Sequence, residues 1–270
     1  MPFGIKPLSE HVGAELTGLD LHAPISEAAA EELRDAFAKY HLLLVRDPEV
    51  NEDEQSRFGE IFGEIKIRHR YANMNEAKKT QYVSNSRQDG ILGDGEIHFH
   101  QDHTFYEKPL SAIMLYGVEV PRSGSATKFR KSGAILAKLP AEMRARAEGV
   151  QCLHLYNYQG DFTKWQDPSK APPDSPRAWQ PLIWENPKSG EKALWAIPIS
   201  TVAFEGISEQ DGRHLIDEIW TFASENDADC TYRHDWAPGD LLIWDNLMLQ
   251  HARLPFDSNE PRTLRRTPIL

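Results

Sequence analysis

Pro238-Gly239-Asp240-Leu241-Leu242-Ile243-Trp244-Asp245-Asn246 reads as a turn, a strand and a second turn. Proline presets φ and glycine accepts positive φ, so Pro238-Gly239 supplies the first reversal. The four apolar residues 241–244 form the short continuous run expected of a strand covered on both faces. Asp245-Asn246 closes it, because both side chains bond their own backbone in turns. Five residues after Asn246 comes His251, and eleven after that comes Arg262. A buried strand thus leads directly to a candidate metal ligand.

Similar β-rich runs recur at 42–46, 112–118, 151–156, 182–185, 193–197 and 230–233. Helix signals are fewer. Ser26 caps an acidic first turn that runs to about Tyr40, and Asn51 with Glu54 makes a capping box for a helix to about Phe62. Pro140 suits position N1 of a short helix that Gly149 closes. The residues 208–225 carry Leu215, Ile216, Ile219, Trp220 and Phe222 at helical spacing. The helices do not alternate regularly with the strands, which argues against a doubly wound parallel sheet. The expected fold is mainly β with flanking α, a sandwich or jelly roll with helices packed outside.

A chain of 270 residues fits one large β domain, 1–270, with long excursions. Two windows read as mobile loops: 66–98, with three glycines between Arg87 and Glu96, and 157–181, rich in proline. Formal net charge is −11, which argues against a partner such as nucleic acid or an anionic membrane surface. No apolar run reaches the roughly 18 residues of a membrane span, and the first residues lack signal-peptide regions. Cys152 and Cys230 are too few for a disulfide framework and read as buried strand residues. A cytoplasmic location is expected.

Three histidines crowd His98-Phe99-His100-Gln101-Asp102-His103. On extended backbone, residues i and i+2 share a face, so the imidazole of His100 and the carboxylate of Asp102 can converge on one ion. With His251 they give two histidines and one carboxylate, the facial set that leaves open positions on non-haem Fe(II). His98-Phe99-His100 is also an H-x-H pattern, so a zinc-dependent hydrolase or a redox-silent cupin using His98, His100 and His251 is the rival reading. A third is a small-acid binding protein without catalysis.

The order His100, Asp102, Thr127, His251, Arg262 resembles the TauD/TfdA family of 2-oxoglutarate-dependent oxygenases. The flanks are similar too: His100-Gln101-Asp102-His103-Thr104-Phe105 to the family's H-x-D-x-T-F, and Trp244-Asp245-Asn246 to its W-D-N. The similarity opens at Gly13-Ala14-Glu15-Leu16-Thr17-Gly18-Leu19-Asp20-Leu21, passes through Phe58-Gly59-Glu60-Ile61-Phe62-Gly63 and reaches Arg266. It implies a double-stranded β-helix, a cupin-like jelly roll. It also implies Fe(II) held by His100, Asp102 and His251, with no catalytic side chain beyond the metal centre. Arg262 and Thr127 would bind the distal carboxylate of the cosubstrate 2-oxoglutarate. O₂ would be the second cosubstrate, and succinate and CO₂ would accompany hydroxylation of a small anionic organic substrate. Carboxylates, aryloxyalkanoates and sulfonates are the implied classes, and hydroxylation beside an ether oxygen or sulfonate would cleave the substrate. The resemblance also implies a homo-oligomer, dimer or tetramer.

Arg266 matches the family's substrate-binding arginine, while its neighbour Arg265 leaves open which guanidinium faces the pocket. His103 follows the ligand carboxylate and is a candidate pocket residue; so is Tyr156, at the entry to the proline-rich window. The segment Lys66-Ile67-Arg68-His69-Arg70-Tyr71 lies in the region where taurine enzymes carry a sulfonate-binding histidine, which makes His69 a candidate substrate residue without carrying over a taurine identity. The family's G-G-D-T is replaced here by Ser123-Gly124-Ser125-Ala126-Thr127. His11, His22, His41, His154, His214 and His234 read as ordinary surface or core residues. Arg253, Arg262, Arg265 and Arg266, taken with Fe(II), suggest one cationic pocket in an acidic protein.

Overall fold

The structure, a computed structural model, describes residues 3–67, 79–157 and 160–270. Its strands are β1 (Gly4–Pro7), β2 (Ala14–Thr17), β3 (Leu42–Val45), β4 (Gln81–Ser84), β5 (Ile97–His100), β6 (Ala112–Glu119), β7 (Thr127–Lys131) and β8 (Gln151–Leu155). There follow β9 (Arg177–Pro181), β10 (Ile183–Glu185), β11 (Lys192–Leu194), β12 (Thr201–Glu205), β13 (Thr231–His234), β14 (Leu241–Asp245), β15 (Leu249–Arg253) and β16 (Thr263–Ile269). The helices are α1 (Glu27–Tyr40), α2 (Glu52–Gly59), α3 (Ser132–Lys138), α4 (Ala141–Ala147) and α5 (Glu209–Asn226).

The larger sheet has the order β1-β2-β3-β14-β6-β16-β4, and a second runs β13-β7-β15-β5. Within these two sheets the pairings are antiparallel except β2 with β3. The run 241–244 sits at the centre of the large sheet and is buried on both faces. Leu241 and Ile243 join Leu43 and Val45 in a layer under α1, which adds Ala29, Leu33 and Ala36. Leu242 and Trp244 point the other way, into a core with Leu42, Leu44, Ile113, Phe129 and Leu249 that fills the space between the two sheets. Each such side chain contributes about 1.5–3 kcal/mol on burial. This is the jelly roll expected from the sequence.

The helices sit outside, capped as their sequences dictate. The Ser26 hydroxyl accepts from the N–H of Ala29, and Asn51 with Glu54 completes the capping box of α2. Helix α5 lays Leu215, Ile216 and Ile219 on Cys152, Leu182, Leu194 and Ala196. Two details differ from the sequence expectation. Pro140 is the N-cap of α4 rather than its first residue, and α2 ends at Gly59, short of Phe62. Helix α3 carries no sequence signal, since its N-cap is Lys131 without a side-chain bond. Tertiary packing forms it: a Cβ on Gly133 would lie 2.3 Å from the Lys192 carbonyl of the chain it crosses.

The two windows read as loops contain regular structure. Within 66–98 lie β4, on the edge of the large sheet, and the start of β5; within 157–181 lies β9, on the edge of β12-β8-β9. An edge position tolerates Pro181, whose missing N–H costs no ladder bond there. His69, proposed to meet a substrate, lies outside the described residues. Among the described residues no helix is long and apolar enough to cross a membrane.

Candidate metal centre

Strands β5 and β15 are neighbours in the second sheet, and their register sets His100 opposite His251. A β-bulge in this pairing shifts the register between His251 and Arg253, the kind of local kink that re-aims side chains. The two imidazole rings approach to 4.1 Å between centroids. The chain turns after His100 and brings Asp102 back, its Oδ1 3.3 Å from His100 Nε2 and 3.8 Å from His251 Nε2. One potential ligand atom from each of the three residues lies within 4.8 Å of the others. His100 Nδ1 lies 2.8 Å from the His98 carbonyl. A carbonyl only accepts, so Nδ1 carries the proton and the Nε2 lone pair is left for a metal.

The protonation states agree with that use. Burial alone would raise the Asp102 carboxyl. Arg266, whose Nη2 donates to Oδ2 at 2.6 Å, and His100 instead hold it well below the usual carboxylate range. Burial pushes the His251 imidazole well below its ordinary value, and neighbouring His100 adds to the effect. The depressed imidazole of His251 and the carboxylate of Asp102 are in the deprotonated forms that a divalent cation requires, and His100 turns its Nε2 toward them. The donor set therefore fits a divalent metal with open positions, as non-haem Fe(II) has. His98 does not join it. Its ring packs 5.7 Å from that of Trp220, so the His98/His100/His251 set of the zinc reading is not assembled.

A second candidate group, for an anion, comes from β7, the neighbour of β15 in the second sheet, and from the approach to β16. Thr127 opens β7 and is buried; its Oγ1 accepts from Trp236 Nε1 at 3.0 Å, which leaves the hydroxyl hydrogen free to donate. Gly124, just upstream, takes a φ of +76°, and a Cβ there would lie 2.8 Å from the Pro255 carbonyl. That tight crossing suits the altered loop before Thr127. The Arg262 guanidinium is 2% exposed, and its Nε and Nη1 have no hydrogen-bond partner. Burial, with Arg253 beside it, lowers its pKa to about 9. A buried, unpaired planar fork is a strong demand for a carboxylate.

The four arginines do not form the single cationic pocket suggested by their closeness in sequence. Alternation along β16 sends Arg265 to the side opposite Arg266, where it donates to Gln55 Oε1 at 2.6 Å and to the Val50 carbonyl at 2.5 Å. Arg253 is spent on loop carbonyls. Arg262 and Arg266 remain, which answers which of Arg265 and Arg266 faces the pocket.

A cavity of about 740 Å³ opens beside Asp102 and Arg266. His103 and Tyr156 line it, as does Asn157. His103 has a φ of +65° and packs 5.5 Å from the Phe105 ring and 5.3 Å from Tyr106. Phe105 and Tyr156 stack at 4.7 Å with 24° between planes. Phe162, Ile97 and Ile199 make further wall. Sequence reasoning passed over two roles here: that of Trp236, which orients Thr127, and that of Asn246, which grips the backbone of Asp102. Only Asn246 had a signal, its place in the W-D-N stretch.

The family model described as Taurine catabolism dioxygenase TauD, TfdA family matches residues 4–267. The chain is 28% identical to the (S)-phenoxypropionate/alpha-ketoglutarate-dioxygenase of Sphingobium herbicidovorans, over 97% of this chain and 93% of the relative. It is 27% identical to the alpha-ketoglutarate-dependent 2,4-dichlorophenoxyacetate dioxygenase of Cupriavidus pinatubonensis, over 98% and 96%. Among solved structures it superposes on AAD-2 in complex with Mn(II) and N-oxalylglycine with a TM-score of 0.82. That match has 25% identity and covers 100% of this chain and 97% of the other.

Proposed function

The chain belongs to the TauD/TfdA family of dioxygenases, and from that premise we propose that it catalyses Fe(II)- and 2-oxoglutarate-dependent hydroxylation of a small organic anion. One observation carries the reading: His100, Asp102 and His251 bring one potential ligand atom each to within 4.8 Å of one another, in a chain that also buries Arg262 with its Nε and Nη1 unpaired. His100, Asp102 and His251 hold the metal. Arg262 receives the distal carboxylate of 2-oxoglutarate, with Thr127 donating its hydroxyl hydrogen to the same group. When bound, Fe(II) with 2-oxoglutarate and O₂ supplies the oxidising power, and the cosubstrate leaves as succinate and CO₂.

The protein's own work is placement and exclusion of water. Arg266 lines the cavity and keeps N–H donors beyond those given to Asp102 and Gln81, so it receives the acid group of the substrate. The apolar body lies against Phe105, Tyr156 and Phe162, with His103 at the inner wall. That lining favours an acid with an aromatic or other bulky apolar body over a small polar sulfonate. The relatives named for phenoxypropionate and 2,4-dichlorophenoxyacetate support this choice. The chain acts as one domain in the cytoplasm, as a homo-oligomer.

The test is a screen of aryloxyalkanoates, other carboxylates and sulfonates for succinate formed in step with substrate loss. At least one ring-bearing acid is expected to turn over, and Asp102→Ala to abolish it. Turnover sustained by Zn²⁺ under nitrogen, or no succinate with any acid, would overturn the proposal.

A further inference from the structure

Arg253 lies two residues beyond His251 on β15, on the same side of the strand, and is 6% exposed. Buried cations are ordinarily paired with carboxylates. Among the described residues this one makes no ion pair. Its Nη1 donates to the Leu92 carbonyl at 2.5 Å, Nη2 to that of Asp94 at 2.6 Å and Nε to that of Gly95 at 2.7 Å. The Gly93 carbonyl lies 3.4 Å from Nη1. One planar fork thus spans four consecutive carbonyls. They converge because Leu92 and Gly95 take φ of +50° and +90°. Leucine avoids that region, so the turn is held by its partner rather than by its own preference.

What the turn carries gives the anchor a function. Ile91, Leu92 and Gly93 line the cavity beside Asp102, and the chain leads from them straight into β5 and His100. We propose that Arg253 is a positioning residue for substrate selection: it fixes the turn 92–95 as one wall of the cavity and so sets the fit of the substrate's apolar body. It binds neither the metal nor the acid groups. This rests on the catalytic reading above. Only an arginine suits the task, since lysine offers a point charge where a fork must reach several carbonyls.

The experiment compares wild type with Arg253→Met and Arg253→Lys. Chymotryptic cleavage after Leu92, read by mass spectrometry, is expected in Arg253→Met, less in Arg253→Lys, and not in wild type. With the acid returned by the screen, KM is expected to rise about tenfold or more while kcat changes about twofold or less. Succinate should exceed hydroxylated product, because a misplaced substrate is missed. Mn(II) affinity should match wild type. A released turn with unchanged KM and coupling would overturn the proposal, as would an intact turn in Arg253→Met. Should wild type turn over no acid, the catalytic reading falls, and the cleavage assay alone decides whether Arg253 holds the turn.

Discussion

The carboxamide of Asn246 grips the main chain of Asp102 from both sides: its Oδ1 accepts from the Asp102 N–H at 2.7 Å, and its Nδ2 donates to the Asp102 carbonyl at 2.9 Å. A second donation reaches the Leu110 carbonyl at 2.8 Å. Asn246 is fully buried at the end of β14, five residues before His251. It therefore ties the loop of one candidate ligand, Asp102, to the turn that leads into β15, which carries another, His251.

Asn246→Ala is expected to weaken Mn(II) binding by about 10–100-fold, the usual loss when an orienting partner of a ligand is removed. Asn246→Asp should be at least as damaging, because it turns an acceptor toward the two carbonyls that Nδ2 now satisfies. Mn(II) titration followed by electron paramagnetic resonance checks both. An unchanged affinity in Asn246→Ala would remove the clamp from the account of the site.

Arg262→Leu should raise the melting temperature of the ligand-free protein, because an unpaired buried charge disappears. The same variant should lose the melting shift that 2-oxoglutarate gives wild type, a shift set by binding to the folded state alone. Thermal melts with and without 2-oxoglutarate test the two halves together. A ligand-free variant less stable than wild type would show that the guanidinium is better satisfied than its geometry indicates.

His154, on β8, is fully buried with neither ring nitrogen hydrogen-bonded, and burial lowers its pKa from 6.5 to about 3. The folded protein keeps this imidazole neutral, while the unfolded chain takes up a proton below pH 6.5. Its contribution is therefore fully present above pH 6.5 and falls as the pH drops toward 3, by about 1.4 kcal/mol per unit. Urea denaturation of wild type and His154→Leu between pH 6.5 and 4.5 should show a shallower loss in the variant, by about 2–3 kcal/mol over that range. Equal slopes would count against the assignment.

The sequence by itself determined the strand-rich class, the capped helices α1, α2 and α5, and which two histidines and carboxylate the fold gathers. These rest on local chemistry: an apolar run between turn residues, a capping side chain, and a closely spaced His-x-Asp, although Asp102 is delivered by the turn after β5 rather than by strand parity. The run 241–244 was legible because both its faces are buried, leaving no alternation to misread. Strands β5, β15 and β16 were not legible, for the opposite reason. They carry His100, His251, Arg265 and Arg266, polar residues that break the apolar pattern of a buried strand, and the two arginines meet partners far along the chain, Gln55 for Arg265 and Asp102 for Arg266.

Only the tertiary structure decided how four arginines within fourteen residues divide among three tasks. Sequence spacing brings charges together along the chain; strand alternation and pairing then separate them. Arg265 is turned toward Gln55, Arg253 is drawn into the carbonyls of 92–95, Arg262 keeps two donors unpaired, and Arg266 faces Asp102 and the cavity. A guanidinium's role is set by which acceptors the fold places within about 3 Å of it, and that depends on the register of distant strands.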